Sequence, residues 1–190
     1  MARAAASRTF TAREAAVLVD LEERVVRKEI EHEVFVPKES ARLEFSAIVY
    51  LRLLREFTEA RMVPTVERRT ELFRAIERAL RSRSVPDSLQ LARHVVVDLA
   101  DVVAEMRRTL DEFETWKARL ESQPDILGGE TVFPNSRLSV RRVGGRLERR
   151  EAREAIREDY PYLTERDLDF AQLYVRAYPP RGRPREVPAR

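Results

Sequence analysis

The chain of 190 residues contains no cysteine, and its first glycine is Gly128. The absence of cysteine excludes disulfides, thiolate metal sites and cysteine nucleophiles. No stretch approaches the roughly 18 to 20 consecutive apolar residues of a membrane span, and the opening MARAAASRTF lacks the apolar core of a secretory signal. These absences predict a cytoplasmic protein without membrane contact.

Residues that catalyse reactions or bind metals are also scarce. His32 and His94 are far apart in sequence, and neither has a second histidine at the helical spacing that favours a metal site. No nucleophile elbow and no phosphate-binding loop is found. Carboxylates alternate with arginine at helical spacing, as in LERREAREAIRED, which is typical of a solvated helix face. We therefore expect no enzymatic activity, no metal and no cofactor.

Charged residues are abundant but nearly cancel. The chain has 36 basic and 33 acidic side chains, which gives a formal net charge of +3. A surface for nucleic acid must therefore arise from the local placement of arginine. The length and the helical periodicity predict a mainly α fold with small β-hairpins, divided into two small domains.

The segment FTAREAAVLVDLEERVVRKEIEHEV predicts two short helices joined at Asp20. Thr11 and Glu14 have the spacing of a capping box at the start of the first helix. A helix-turn-helix needs a small residue in the first helix, a sharp turn four positions later and buried aliphatic residues after the turn. This register is met by Ala16, Asp20, Leu21 and Val26. The alternative is that the two helices only pack together.

The second of these helices would enter a DNA groove. The candidate DNA-binding side chains are Arg13, Arg24, Arg27 and Lys28. Several glutamates accompany them and disfavour insertion into the groove, namely Glu22, Glu23, Glu29, Glu31 and Glu33.

Two β-hairpins and a helical core complete a winged helix-turn-helix domain at residues 7–98. VFVPKESARLEF predicts a small hairpin or wing, and SLQLARHVVVDL predicts a second hairpin in which Val95 to Val97 is the surer strand. Between the hairpins lie two apolar stripes at helical spacing that we expect to form core. They consist of Phe45, Ile48, Val49, Leu53 and Phe57, and of Leu72, Phe73, Ile76 and Leu80.

A long connecting helix is predicted at residues 99–122. Its apolar residues step by threes and fours, which is the spacing of a heptad seam. The seam consists of Leu99, Val103, Met106, Leu110, Phe113 and Leu120. It packs either on the protein's own core or on the same helix of a second subunit.

A small helical module of helix-turn-helix size follows at residues 123–178. A glycine turn and a short extended stretch, Thr131 to Phe133, precede three short helices. The last helix begins at Glu165 after a cap formed by Thr164 and Asp167. Gly144 and Gly145 fall inside the first helix and should each loosen it by up to about 1 kcal/mol relative to alanine.

Two motifs of this module, PDILGGETVFPNSRLSV and REDYPYLTERDLDFAQLYV, and the trailing PPRGRPR resemble the family called domain of unknown function four-three-three. The resemblance runs without a gap from about Pro124 to Arg185. Asn135 and Arg150 depart from it, because the family often has glycine at both positions. TAREAAVL and VVVDLADV resemble the DNA-binding domain that precedes this module in longer VapB-like antitoxins.

This resemblance implies an antitoxin of VapB type. Such a protein neutralises a toxin, here a small ribonuclease of the PIN or PIN-like class, and represses its own operon by binding operator DNA. It acts as a homodimer or within a larger toxin–antitoxin complex. The alternatives are a transcriptional regulator without a toxin and a scaffolding protein.

The tail at residues 179–190 is rich in proline and arginine, so we expect an extended, basic segment. The candidate toxin-binding side chains are Arg181, Arg183 and Arg185. Their guanidinium groups would pair with carboxylates in the acidic pocket of the nuclease. The alternatives are a solubilising tail and a minor-groove contact of the AT-hook kind.

Overall fold

The computed structural model describes residues 8–35, 42–82, 84–93, 95–122 and 129–179, which form eight helices and two small antiparallel hairpins. The predicted mainly α fold is confirmed. The chain divides into a first unit, Met1–Thr115, and a second unit, Trp116–Arg190. Within the described ranges, no helix is both long and apolar enough to cross a membrane.

The first unit begins with the two predicted short helices, α1 (Ala12–Leu18) and α2 (Glu23–Glu31). The predicted capping box is present, because the Thr11 side chain accepts a hydrogen bond from the Glu14 N–H while the Glu14 carboxylate accepts one from the Thr11 N–H. After α1 the chain turns at Asp20, whose φ of 54° is left-handed. Ala16 and Val26 are buried, as the register predicted.

Two longer helices supply most of the first core. α3 (Phe45–Glu59) and α4 (Val66–Arg81) carry the two predicted apolar stripes. The fully buried side chains include Ile48, Leu53 and Ile76. The stripes therefore form core, as expected.

The second predicted hairpin is present in the structure. β1 (Ser88–Ala92) pairs antiparallel with β2 (Val95–Asp98), and Leu89 and Val97 face each other and pack on the core. The first predicted hairpin falls partly on residues 36–41, which lie outside the described ranges. Beside that segment, Leu43 forms a single antiparallel bridge with Phe10.

The long helix α5 spans Leu99–Ala118, and the division between the two units falls within it. Leu99, Val103, Met106 and Leu110 are buried in the core of the first unit. The sequence left open whether the seam packs on the protein's own core or on a second subunit. These four residues pack on the protein's own core. A second subunit cannot use these side chains without unfolding the first unit.

The second unit contains the predicted extended stretch and three helices. β3 (Glu121–Ser122) pairs with β4 (Thr131–Val132). The helices are α6 (Val140–Glu148), α7 (Arg153–Asp159) and α8 (Glu165–Ala177). The predicted cap at Thr164 and Asp167 is confirmed as a capping box. Gly128 lies outside the described ranges, and Gly129 has a φ of 85°.

Four helices end in the same turn without glycine. In α1, α2, α3 and α6 the second residue after the helix is left-handed, and these residues are Asp20, Glu33, Arg61 and Arg150. After α6, the Arg150 N–H donates to the Leu147 carbonyl at 2.9 Å and the Glu151 N–H to the Arg146 carbonyl at 3.2 Å. Glycine is the usual residue at such positions because it has no Cβ. Charged side chains occupy them here.

Candidate functional site

The inner side of α2 is held by a buried cluster of polar groups. Glu29 is 4% exposed, and its Oε2 accepts hydrogen bonds from the Tyr50 hydroxyl at 2.6 Å and from Arg69 Nε at 3.0 Å. Arg69 also donates to the Pro64 carbonyl at 2.8 Å, and its Nη2 lies 3.3 Å from His32 Nδ1. Burial of the Tyr50 hydroxyl, together with its bond to Glu29, raises the pKa of Tyr50 far above its ordinary value.

This cluster corrects one expectation. The sequence places Glu29 among the acidic residues that would repel DNA, but its carboxylate is buried and faces Tyr50 and Arg69. Glu29 therefore fixes α2 to α3 and α4, and the charge on the outer side of α2 is less acidic than predicted. His32 belongs to the edge of the same cluster. His94 lies outside the described ranges.

The predicted DNA-binding arginines are held by neighbouring glutamates. Arg13 Nε lies 2.7 Å from Glu23 Oε2, and Arg27 Nε lies 3.0 Å from Glu23 Oε1. Burial raises the pKa of Glu23, but the hydrogen bonds from Arg27 and Arg13 outweigh this and keep the pKa below its ordinary value. Arg24 donates to Glu22 at 2.9 Å.

Only part of the predicted DNA-binding set is therefore brought together. Arg13 and Arg27 both form ion pairs with Glu23. Arg24 pairs with Glu22 instead, and Lys28 is exposed. Exposed ion pairs contribute roughly 0.2–1 kcal/mol each. A DNA phosphate can displace them, but it must compete with these carboxylates.

The predicted toxin-binding residues Arg181, Arg183 and Arg185 lie outside the described ranges. Tyr178, which directly precedes the tail, is held by two hydrogen bonds. Lys117 Nζ donates to the Tyr178 hydroxyl at 3.2 Å, and Arg141 Nη1 donates to the Tyr178 carbonyl at 2.6 Å. The Arg141 guanidinium also lies 5.8 Å from the ring centre of Tyr174.

A buried acid in the second unit has only structural partners. The Trp116 indole N–H donates to Asp167 Oδ1 at 2.9 Å, and Asp167 Oδ2 accepts the Thr164 N–H at 2.9 Å. Asp167 therefore serves as the cap of α8 and as the anchor of Trp116. Among the residues that the structure describes, no three histidine, aspartate or glutamate side chains form a group that could hold a metal ion.

A second set of arginines lies on α6, and none of them was predicted as a site residue. Arg142 and Arg149 are exposed and seven positions apart, which places them on one side of the helix. Arg146 instead pairs with Glu151 and with Asp159. The spacing was visible in VRRVGGRLERR, but the ion pairs that distinguish one arginine from another were not.

Comparison with known proteins supports the resemblance to the domain-of-unknown-function family and gives no information on VapB-type antitoxins. Residues 120–175 match the family described as "Protein of unknown function (DUF433)". The chain is also similar to the "Uncharacterized protein y4eO" of Sinorhizobium fredii (strain NBRC 101917 / NGR234), with 29% identity over 169 residues that cover 85% of this chain and 76% of the relative. No solved structure gives a significant match.

Proposed function

We propose that this chain is a cytoplasmic, non-catalytic antitoxin of a type II toxin–antitoxin system. It neutralises a PIN or PIN-like ribonuclease and represses its own operon, as a homodimer or in a larger complex with the toxin. The support for the antitoxin role is the resemblance of the sequence motifs to VapB-type antitoxins, and residues 120–175 match the family of unknown function to which those motifs point. The resemblance to VapB-like antitoxins implies the toxin.

The observation that carries DNA binding is the arrangement of α1 and α2. A left-handed turn at Asp20 joins the two helices, and Val26 and Glu29 hold the inner side of α2. Arg24, Arg27 and Lys28 are left on the exposed side. Presentation of a second helix after such a turn is how helix-turn-helix proteins approach the major groove.

The test for DNA binding uses the chain's own upstream DNA in a gel-shift or anisotropy measurement. Arg27→Ala with Lys28→Ala should weaken binding, because phosphate contacts are lost. Glu23→Gln should strengthen it, because Arg13 and Arg27 then no longer share a carboxylate. Opposite effects of these two changes are hard to explain by unfolding. A wild-type protein without salt-sensitive binding to any upstream fragment rules out the repressor role.

The test for the antitoxin role uses the product of the neighbouring gene. The full chain should form a stable complex with it and suppress its ribonuclease activity. Deletion of residues 181–190 should release that activity and leave promoter binding nearly unchanged. If the neighbouring product has no nuclease activity and forms no complex while promoter binding persists, the chain is a regulator without a toxin.

A further inference from the structure

The exposed side of α6 presents guanidinium groups that pair with no carboxylate in the part of the chain that the structure describes. Neither the Arg142 nor the Arg149 side chain forms a hydrogen bond or ion pair with any residue that the structure describes. A rise of about 1.5 Å per residue separates their Cα atoms by about 10 Å along the helix. Arg150, at the left-handed turn after α6, is also exposed.

Two carboxylates at the end of α6, those of Glu148 and Glu151, have other partners. Glu148 accepts a hydrogen bond from Gln172 at 3.1 Å, and Glu151 pairs with Arg146. The pKa of Glu151 is lowered mainly by its hydrogen bond from Arg146, while Arg149 contributes only through space. Arg142 and Arg149 are therefore left without a directly paired carboxylate among the residues that the structure describes.

Gly145 lies on the same side of the helix, between Arg142 and Arg149. A Cβ added there would meet only Arg149 Nη1, at 3.6 Å, so the packing of the second unit does not require glycine. A glycine inside a helix costs about 1 kcal/mol relative to alanine. It adds no side chain of its own, so the Arg149 guanidinium lies over this part of the helix, where a ligand can meet it.

We propose that the surface formed by Arg142, Gly145, Arg149 and Arg150, here called the α6 arginine surface, binds the phosphate backbone of double-stranded DNA. It has no apolar side chain to form the centre of a protein interface. It also has no aromatic side chain on which the bases of a single strand could stack. The choice of DNA as the partner rests on the proposed function. The α6 arginine surface adds a DNA contact in the second unit to the one proposed for α2.

The test measures binding of the full-length protein to a fluorescent duplex of mixed sequence, about 24 base pairs long, between about 50 and 200 mM salt. Arg142→Ala with Arg149→Ala should weaken binding at low salt by about tenfold and reduce the slope of log K against log salt by about two. Arg74→Ala with Arg78→Ala is the matched control, because it removes two exposed arginines from α4. The control should change binding by less than about twofold.

Arg150→Gly provides a second variant that cannot act through unfolding. It removes one charge at a position with a φ of 61°, where glycine is the more favourable residue. Binding should weaken about threefold, and the slope should fall by about one. A thermal stability equal to or higher than that of wild type would show that the loss of binding comes from charge.

Three results would overturn the proposal. The first is a double variant that binds within about twofold of wild type with the same salt slope. The second is an equal loss in the α4 control, which would indicate net charge alone. The third is unchanged duplex binding combined with loss of the complex with the neighbouring gene product, which would make the surface a protein contact. Failure of the proposed DNA contact of α2 is distinguishable, because Arg27→Ala with Lys28→Ala and Arg142→Ala with Arg149→Ala are measured separately, and either pair can weaken binding without the other.

Discussion

Gly144 of α6 lies directly against the backbone of Ala171 in α8. A Cβ on Gly144 would be 2.5 Å from the Ala171 carbonyl oxygen and 2.6 Å from Val175 Cγ1. The carbonyl belongs to helix backbone and cannot move aside, so α6 and α8 can pack this closely only at a glycine. At Gly144 this packing opposes the predicted loosening of α6, whereas Gly145 has no such contact.

Alanine substitutions at the two adjacent glycines should have opposite effects. We expect Gly144→Ala to lower the free energy of unfolding by about 1–3 kcal/mol, because the helices must separate. Gly145→Ala should raise it by up to about 1 kcal/mol, because alanine is the better helix former. Denaturant unfolding followed by the fluorescence of Trp116, the single tryptophan, measures both. Equal shifts in one direction would contradict the packing at Gly144.

The helices were predictable from the sequence because their apolar residues repeat at helical spacing and Thr11 and Thr164 mark two of the starts. The helix ends were harder to predict, because charged residues such as Arg61 occupy turns that glycine usually marks. The site was less predictable still. Arginine is common on the helices, and only the fold shows that Glu23 pairs with Arg13 and Arg27, whereas Arg142 has no carboxylate partner among the residues that the structure describes.

Glycine at a left-handed helix end should stabilise the protein. Arg61 follows α3 with a φ of 55°, and its side chain is exposed. Arg61→Gly should raise the free energy of unfolding by up to about 1 kcal/mol, because strain in the folded backbone outweighs the added freedom of the unfolded chain. Arg61→Ala is the control, since it removes the same side chain and keeps the strain. Calorimetry should give the higher melting temperature for glycine, and equal temperatures would show that the turn is unstrained.

Stability should fall at alkaline pH through Tyr50. The pKa of its buried hydroxyl is raised in the folded protein, so the unfolded chain ionises first, from its ordinary value of about 10. The stabilisation that comes from keeping Tyr50 protonated is fully present below about pH 10. Above about pH 10 the free energy of unfolding falls by up to about 1.4 kcal/mol per pH unit. Urea unfolding between about pH 8 and 11 measures the slope.

Tyr50→Phe tests whether this slope belongs to one residue. The variant should be less stable than wild type near neutral pH, because Glu29 loses a buried donor. Its stability should nevertheless decline less steeply above about pH 10. Tyr162→Phe is the control, because Tyr162 is 56% exposed. Parallel curves for wild type and Tyr50→Phe would exclude Tyr50 as the cause.

The last prediction concerns the seam of α5. Leu110 is 4% exposed and belongs to the core of the first unit, so Leu110→Asp places a carboxylate among apolar side chains. Burial of such an unpaired charge destabilises by more than about 3 kcal/mol, and we expect loss of helical circular dichroism. Arg108→Asp, on the exposed side of the same helix, should leave the fold intact.

Light scattering on the same samples separates unfolding from dissociation. If α5 were the contact between two subunits, Leu110→Asp would keep its helical signal and halve the mass of the wild-type particle. If Leu110 is internal, the variant unfolds or aggregates, and no folded species of half the mass appears. Any dimer of the wild-type chain must then be held by surfaces other than Leu99 to Leu110, since these side chains already fill the first core.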